Sequence, residues 1–266
     1  MRTTGERLVL WLCGLLLAAV LLVLYAPVVV GALFSVVRLQ RGQILWDTAS
    51  LAAYGELAGN ADILSALLNT GIVAVAAVAA ALVLAVAIAL YVHRQGAVGR
   101  GFLELLIYLP FVMPPIVTGL SLLLFFAGVG MARDIVTITI GHAVFVLAIL
   151  YRTVLVRLQS LPPSLAEASA DLGATRLQTF RHVVLPYLRS ALVSGALLAL
   201  TLSFDETLIT VFLAGDSMTL PLRLWAMMRV GFTPQINALV TLVILASIGL
   251  AVAAALRLRG GGRLDV

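Results

Sequence analysis

Long apolar runs separated by short charged segments set the pattern of this chain. Six runs, at 8 to 37, 63 to 92, 102 to 128, 135 to 156, 187 to 213 and 235 to 256, each reach the length of about 20 residues needed to cross a hydrocarbon layer. Backbone groups in lipid must bond internally, which leaves helices or a closed barrel, and unbroken apolar runs do not alternate as barrel strands do. The pattern therefore predicts an all-α, polytopic transmembrane helical bundle of six spans, read as a single transmembrane domain over 1–266. The first run outlasts the apolar core of a cleavable signal and is read as a retained span.

Composition agrees: 62% of residues are hydrophobic, 11% are charged, and mean hydropathy is +1.14. All 17 basic residues are Arg, so no phosphate-cradling loop with its Lys is present, and a P-loop ATPase is excluded. The single cysteine, Cys13, allows neither a disulfide nor a thiolate metal site within the chain. Twelve arginines fall on the termini, on 93 to 101 and on 152 to 189, against Arg38, Arg41, Arg133, Arg223 and Arg229 on the other side. Basic residues accumulate on the inner face, so both termini are expected in the cytoplasm.

The segment 161–186 carries helix punctuation. Pro162 and Pro163 precede Ser164 and Glu167, spaced as a capping box; Gly173 supplies a left-handed stop; Thr175 and Gln178 repeat the box; and Pro186 closes the second helix. This predicts a helix-turn-helix, with Leu177, Phe180 and Val184 on one face of its second helix and Arg176, Arg181 and His182 on the other. So short a pair needs support. Two readings fit: a linker lying on lipid headgroups, or an element that docks into a cytoplasmic partner.

The spacing Glu167-Ala168-Ser169, three residues, Gly173, nine residues, Val183-Val184-Leu185-Pro186 resembles the EAA loop in the permease subunits of bacterial ATP-binding-cassette importers. Ser169 and Val183 stand where that family usually has Ala and Ile. Asp171-Leu172-Gly173-Ala174 and Asn69-Thr70 extend the likeness. The resemblance implies that Glu167, Ala168, Ser169, Asp171, Gly173, Ala174, Leu185 and Pro186 couple the chain to a separate ATPase, with Glu167 as its acidic contact. It further implies an ATPase dimer, a second permease subunit, an extracytoplasmic solute-binding protein and a bacterial inner-membrane location. Membrane lipid is a further expected partner, and nucleic acid is not one. No cofactor is expected on this chain, since ATP and Mg are used by the partner ATPase.

Two features mark a candidate substrate path. Pro110, Pro114 and Pro115 remove backbone donors from the third run, so a bend or break is expected there, either lining the path or serving packing. Ser203-Phe204-Asp205-Glu206-Thr207 places two acids about 28 to 30 Å along the fifth run from Pro186, near its far boundary. Such a pair serves either substrate passage or a solvated helix end. Leu220 to Val230 is read as an interfacial helix with Trp225 as its anchor. With LAGDSMTLPLRLW and FTPQINA, this region is similar to the spermidine/putrescine-type branch, particularly its second membrane subunit, which implies a polyamine that the acidic pair suits by charge; the candidate path residues are Phe204, Asp205, Glu206, Pro114 and Trp225. Another small solute, a secondary transporter or a membrane enzyme are the alternatives. Adjacent helical residues point about 100° apart, so Asp205 and Glu206 make a poor acid/base pair. Glu104 is expected to pair with Arg100, His93 and His182 to be exposed, and His142 to be a hydrogen-bonded interior residue, since no second metal ligand is suitably spaced.

Overall fold

The computed structural model describes residues 4–40, 43–94, 96–230 and 233–261. Arg2, Arg41 and Arg263, used in the charge count, lie outside them. The chain divides into two compact units, Met1–Ala61 with Ala226–Val266, and Asp62–Trp225.

In the first unit, α1 (Thr4–Phe34) is followed by a short hairpin, β1 (Arg38–Gln40) and β2 (Gln43–Leu45), a 3-10 turn (Trp46–Thr48) and α2 (Ala52–Ala58). The first span thus stops at Phe34, short of 37, because the chain turns into the hairpin. α1 shows apolar side chains on all sides, Trp11 at 78% and Leu15 at 72% exposure, as expected where lipid is the solvent. At the chain's other end α12 (Pro234–Gly261) opens on a proline, the residue best suited to a first helical turn. Within this unit Gln235 bonds Glu56, and the Ser35 hydroxyl meets Tyr54 Oη at 2.7 Å. The side chains of α12 at 246, 247 and from 250 onward lie outside the described residues, so the far part of the expected sixth span, helical to Gly261, is described by its backbone alone.

The second unit is built around α3 (Ala61–His93), α4 (Arg100–Val112), α5 (Pro115–Gly128), α6 (Ile135–Gln159), α7 (Pro163–Asp171), α8 (Arg176–Thr179), a π turn (Phe180–Val184), α9 (Leu185–Asp205) and α10 (Thr210–Leu213). α11 (Leu220–Val230) lies where the sequence placed an interfacial helix. Ala77, Ala81, Ala85 and Ala89 recur every four residues along α3 and are fully buried. Small residues at that spacing let a neighbouring helix approach closely, which is how membrane helices gain packing energy without a hydrophobic driving force. α6 is the centre of this unit, burying Val146, Leu150, Tyr151, Val154 and Leu158, while α9 contributes Leu188 and Ala199. Gly195 keeps α6 and α9 close, since a Cβ there would lie 3.3 Å from Thr153. α6 starts on a capping box in which the Asp134 side chain accepts from the Val136 and Thr137 amides.

Among the described residues four helices are long and apolar enough to cross a membrane: Val9–Phe34, Ala61–His93, Ile135–Gln159 and Arg176–Asp205. α4 and α5 form a fifth only as a pair, bent by 111°. The third span is therefore broken, at Pro114 and Pro115, while Pro110 stays within α4. Pro114 has no amide to offer the Pro110 carbonyl, and the Thr118 hydroxyl donates to that oxygen instead at 3.2 Å. The fifth span ends at Asp205, not at 213, because Glu206 leaves the helix at ψ 108°.

The segment 161–186 is a helix-turn-helix with two corrections. Its first helix begins at Pro163 with Pro162 as the preceding cap, so Ser164 sits at the second helical position and makes no capping box with Glu167. Its second helix does not stop at Pro186. α8, the π turn and α9 run on as one 30-residue helix from Arg176 to Asp205. Regular α geometry would drive the Pro186 ring into the carbonyl four residues back, and the wider turn, with the Leu185 amide on the Phe180 carbonyl, avoids that clash.

Candidate functional site

Two places in the second unit carry the residues singled out by the sequence, and they lie at opposite ends of the helix from Arg176 to Asp205.

At the first end, α7 and α8 meet across Gly173, whose φ of 78° is the left-handed turn the sequence anticipated. The Thr175 hydroxyl accepts from the Gln178 amide while the Gln178 side chain accepts from the Thr175 amide, completing the second capping box. Ser169 Oγ lies 3.0 Å from Thr179 Oγ1, tying α7 to α8 with a hydroxyl that an alanine there would lack. Glu167, Ala168 and Asp171 are exposed, Ala174 is half-buried, and Leu185 and Pro186 lie at the start of α9. Leu172 is 89% exposed and Leu177 74%. Leu177 therefore does not share the packed face of Phe180 and Val184; with Leu172 it presents apolar surface on either side of the Gly173 turn. His182 is exposed, as expected.

The base of this loop is clasped. The Arg157 guanidinium lies over the Tyr187 ring at 4.0 Å, and its Nε donates to the Tyr187 carbonyl at 3.2 Å. Tyr187 Oη donates to the Ser160 carbonyl at 2.8 Å. The last turn of α6 and the first of α9 are thereby fixed to each other by a cation–π contact and two hydrogen bonds.

At the other end, Asp205 is exposed and Glu206 buried. Glu206 Oε1 accepts from the Ile209 amide at 2.9 Å, so this carboxylate caps the turn that leads into α10. The two acids face different surroundings: one carboxylate is committed to backbone, the other is open. Thr210 Oγ1 donates to the Glu206 carbonyl at 2.8 Å. The fully buried His142 on α6 reaches both sides of the break, with Nδ1 2.8 Å from Ser203 Oγ and Nε2 2.8 Å from Thr210 Oγ1.

α10 is seated between α5 and α6 at two glycines. A Cβ on Gly119 would lie 2.8 Å from Phe212 and 3.1 Å from the Ile209 Cα; one on Gly141 would lie 2.6 Å from Leu213 and 2.9 Å from Ile209. Thr137 Oγ1 closes the far end by donating to the Leu213 carbonyl at 3.0 Å. The structure thus packs α5, the arm beginning just after Pro114, against the acidic turn. Phe204 is half-buried on α9, Pro114 is exposed at the α4–α5 break, and Trp225 is exposed on α11.

Asn69 and Thr70 hold the start of α11: Asn69 Nδ2 donates to the Met218 carbonyl at 3.0 Å, and the Leu220 amide donates to Thr70 Oγ1 at 2.7 Å. Arg223 of α11 also pairs with Asp62 at the start of α3, at 2.7 Å. Glu104 pairs with Arg100 at 3.3 Å as anticipated, and also accepts from Tyr151 Oη at 3.1 Å. Sequence reading missed the clasp and the seat of α10, for both join residues far apart in sequence through unremarkable glycines, a serine and a tyrosine. Among the described residues no group of His, Cys, Asp and Glu is suited to a metal. In the first unit a cavity of about 490 Å³ is lined by Ser35, Arg38, Thr48, Ser50, Glu56 and Gln235. Ser35 and Thr48 spend their hydroxyl protons on backbone carbonyls there, which makes those groups structural.

A family model described as a binding-protein-dependent transport system inner membrane component matches residues 81–259. The chain is 37% identical over 229 residues to the putrescine transport system permease protein PotI of Escherichia coli (strain K12), a match covering 83% of this chain and 81% of that one. It is 30% identical over 230 residues to the spermidine/putrescine transport system permease protein PotC of Haemophilus influenzae, covering 86% and 89%. Its fold is similar to that of a chain from a bacterial ABC transporter involved in the import of the acidic polysaccharide alginate. That match has a TM-score of 0.74 and 18% identity, covering 96% of this chain and 98% of that one.

Proposed function

The chain belongs to the family of binding-protein-dependent transport system inner membrane components, and on that premise we propose that it passes a polyamine through the membrane, driven by an ATPase gripping residues 163–185. It is a transport subunit of an ATP-binding-cassette importer, and an inner-membrane protein. The proposal adds the cargo, the residues and the remaining partners: an ATPase dimer using ATP and Mg, a second and different permease chain, and an extracytoplasmic binding protein.

The observation that carries the proposal is the 30-residue helix from Arg176 to Asp205. At 1.5 Å per residue it is about 45 Å long, longer than a hydrocarbon layer of about 30 Å. One end is built into the exposed helix-turn-helix; the other ends at the acidic turn. A partner that moves Glu167, Leu172 and Leu177 moves the lever as a body, since the Arg157–Tyr187 clasp makes the end of α6 follow α9. Alternating access is largely rigid-body rocking of this kind. Ala168 and Ala174 suit a close partner surface, Ser169 and Gly173 shape the loop, and Leu185 and Pro186 mark where loop becomes lever. The arginine distribution supports cytoplasmic termini and a cytoplasmic loop, which puts Asp205 toward the outer face.

Cargo is inferred from the names of the relatives and from charge. Asp205 offers an open carboxylate to an ammonium group, Phe204 and Trp225 offer aromatic faces that attract cations, and Pro114 marks the bent arm beside the turn. The test is uptake of radiolabelled putrescine into proteoliposomes holding the full complex and its binding protein. ATP-dependent uptake that falls by roughly tenfold or more in Asp205→Asn, the effect of losing one charged contact, supports the reading. Undiminished uptake in that variant, with the ATPase still attached, overturns the role of the carboxylate. No uptake by the unaltered complex overturns the cargo.

A further inference from the structure

We propose that His142 is a positioning residue that sets the aim of Asp205 by stapling both sides of the helix break at Glu206 to α6; this rests on the reading of Asp205 as part of the substrate path.

Thr210 has one hydroxyl proton, and it is donated to the Glu206 carbonyl at 2.8 Å. Toward His142 Nε2, also 2.8 Å away, Thr210 Oγ1 can then only accept, so Nε2 carries the proton and donates. In the neutral ring Nδ1 is left as an acceptor, and the Ser203 hydroxyl, 2.8 Å away, is its donor. The bonds run in one direction: Ser203 to His142, His142 to Thr210, Thr210 to the Glu206 carbonyl.

This relay starts on the last turn of α9, crosses to α6 and returns beyond the break. Ser203 and Glu206 flank Phe204 and Asp205, so the imidazole fixes both ends of the short stretch carrying the open carboxylate. Ser203 and His142 are each 1% exposed and Thr210 is fully buried, so water cannot substitute for a lost partner. Where a helix ends near lipid, its freed carbonyls must find protein donors; the Thr210 hydroxyl serves the Glu206 carbonyl, and His142, donating to the same oxygen, ties that pair to α6. Glu206 itself is occupied in capping Ile209, which leaves Asp205 as the group whose direction the relay decides.

Three variants separate the two arms. A glutamine side chain can place an amide N–H near the position of Nε2 and preserve donation to Thr210, whereas asparagine reaches only toward Ser203. Thr210→Val removes the return arm with little change of shape. Two readouts are taken on the full complex: ATP-dependent putrescine uptake by proteoliposomes, and the rate at which N-ethylmaleimide labels Asp205→Cys in a Cys13→Ala background. Uptake is expected to fall roughly tenfold in His142→Asn and Thr210→Val, the scale of one buried hydrogen bond lost, and to stay within about threefold in His142→Gln. Labelling should change in the Asn and Val backgrounds and not in the Gln background, with equal yields of assembled complex. Indistinguishable Gln and Asn variants overturn the proposal, as does an uptake loss that merely follows loss of assembled complex. Should the unaltered complex take up no putrescine, the cargo reading fails separately, and the labelling rates alone decide the role of His142.

Discussion

The carbonyl of Pro110 shows how single residues carry this structure. Its ordinary donor is missing because position 114 is proline, and Thr118 supplies a hydroxyl from the next helix. Thr118→Val is expected to leave that oxygen unbonded and to destabilise the detergent-solubilised protein by about 1 to 3 kcal/mol in a thermal melt, with Thr118→Ser restoring most of the loss. Gly141 is decided by space instead. Its missing Cβ leaves room for Leu213 and Ile209, and Gly141→Val should cost about 1 to 3 kcal/mol through forced repacking. Gly71, with nothing within 4 Å of its missing Cβ, is the control: Gly71→Ala in α3 should be neutral or slightly stabilising in the same melt. At this scale the sequence was legible wherever the interaction was local. Thr175 and Gln178 formed their box because donor and acceptor are three residues apart. Ser164 and Glu167 did not, because Pro163 suits a first helical position so well that the helix starts two residues earlier than a Ser164 cap would allow. His142 was legible as an interior hydrogen-bonded residue, but not its partners, Ser203 and Thr210, which lie 61 and 68 residues away.

Among the elements, the join between loop and lever departs furthest from expectation. Proline normally ends a helix, so the second loop helix was expected to stop at Pro186; a π turn absorbs the steric conflict and keeps the helix continuous. That turn widens the helix by one residue, and each residue is worth about 100° of rotation, so its presence sets how the loop is rotated about the lever. Pro186→Ala removes the reason for the wide turn. The variant should remain folded and keep its ATPase, yet import less solute for each ATP hydrolysed, by roughly twofold or more if the loop is turned by that angle. The ratio of uptake to hydrolysis measures it; an unchanged ratio would show that the turn has no mechanical role. The third span was readable as bent, since three prolines within six residues cannot all be accommodated. The angle of 111° was not, for it depends on where α5 packs against α10. The fifth span was read as too long because apolar residues continue past Asp205, and composition does not distinguish a span from a buried turn that follows it.

Across the whole chain, hydropathy and the arginine asymmetry made the membrane character and helical class legible from the start, and the motif at 167 to 186 made the family legible. What patterns along the chain could not supply was the connection between the two marked sites. The structure sets the exposed loop and the acidic turn at the two ends of one helix, with Arg157 and Tyr187 binding a second helix to its base. On this account force enters at one end and alters the surroundings of Asp205 at the other. The most direct measurement replaces Glu167, one of two exposed acids of the loop, with a base and asks whether the partner still holds. With Glu167→Arg, the complex purified through this chain should lose its ATPase subunit, and ATP-dependent uptake should fall by roughly tenfold or more, as expected when an attractive charged contact becomes repulsive. A variant that retains the ATPase at the unaltered ratio and imports at the unaltered rate would contradict the account.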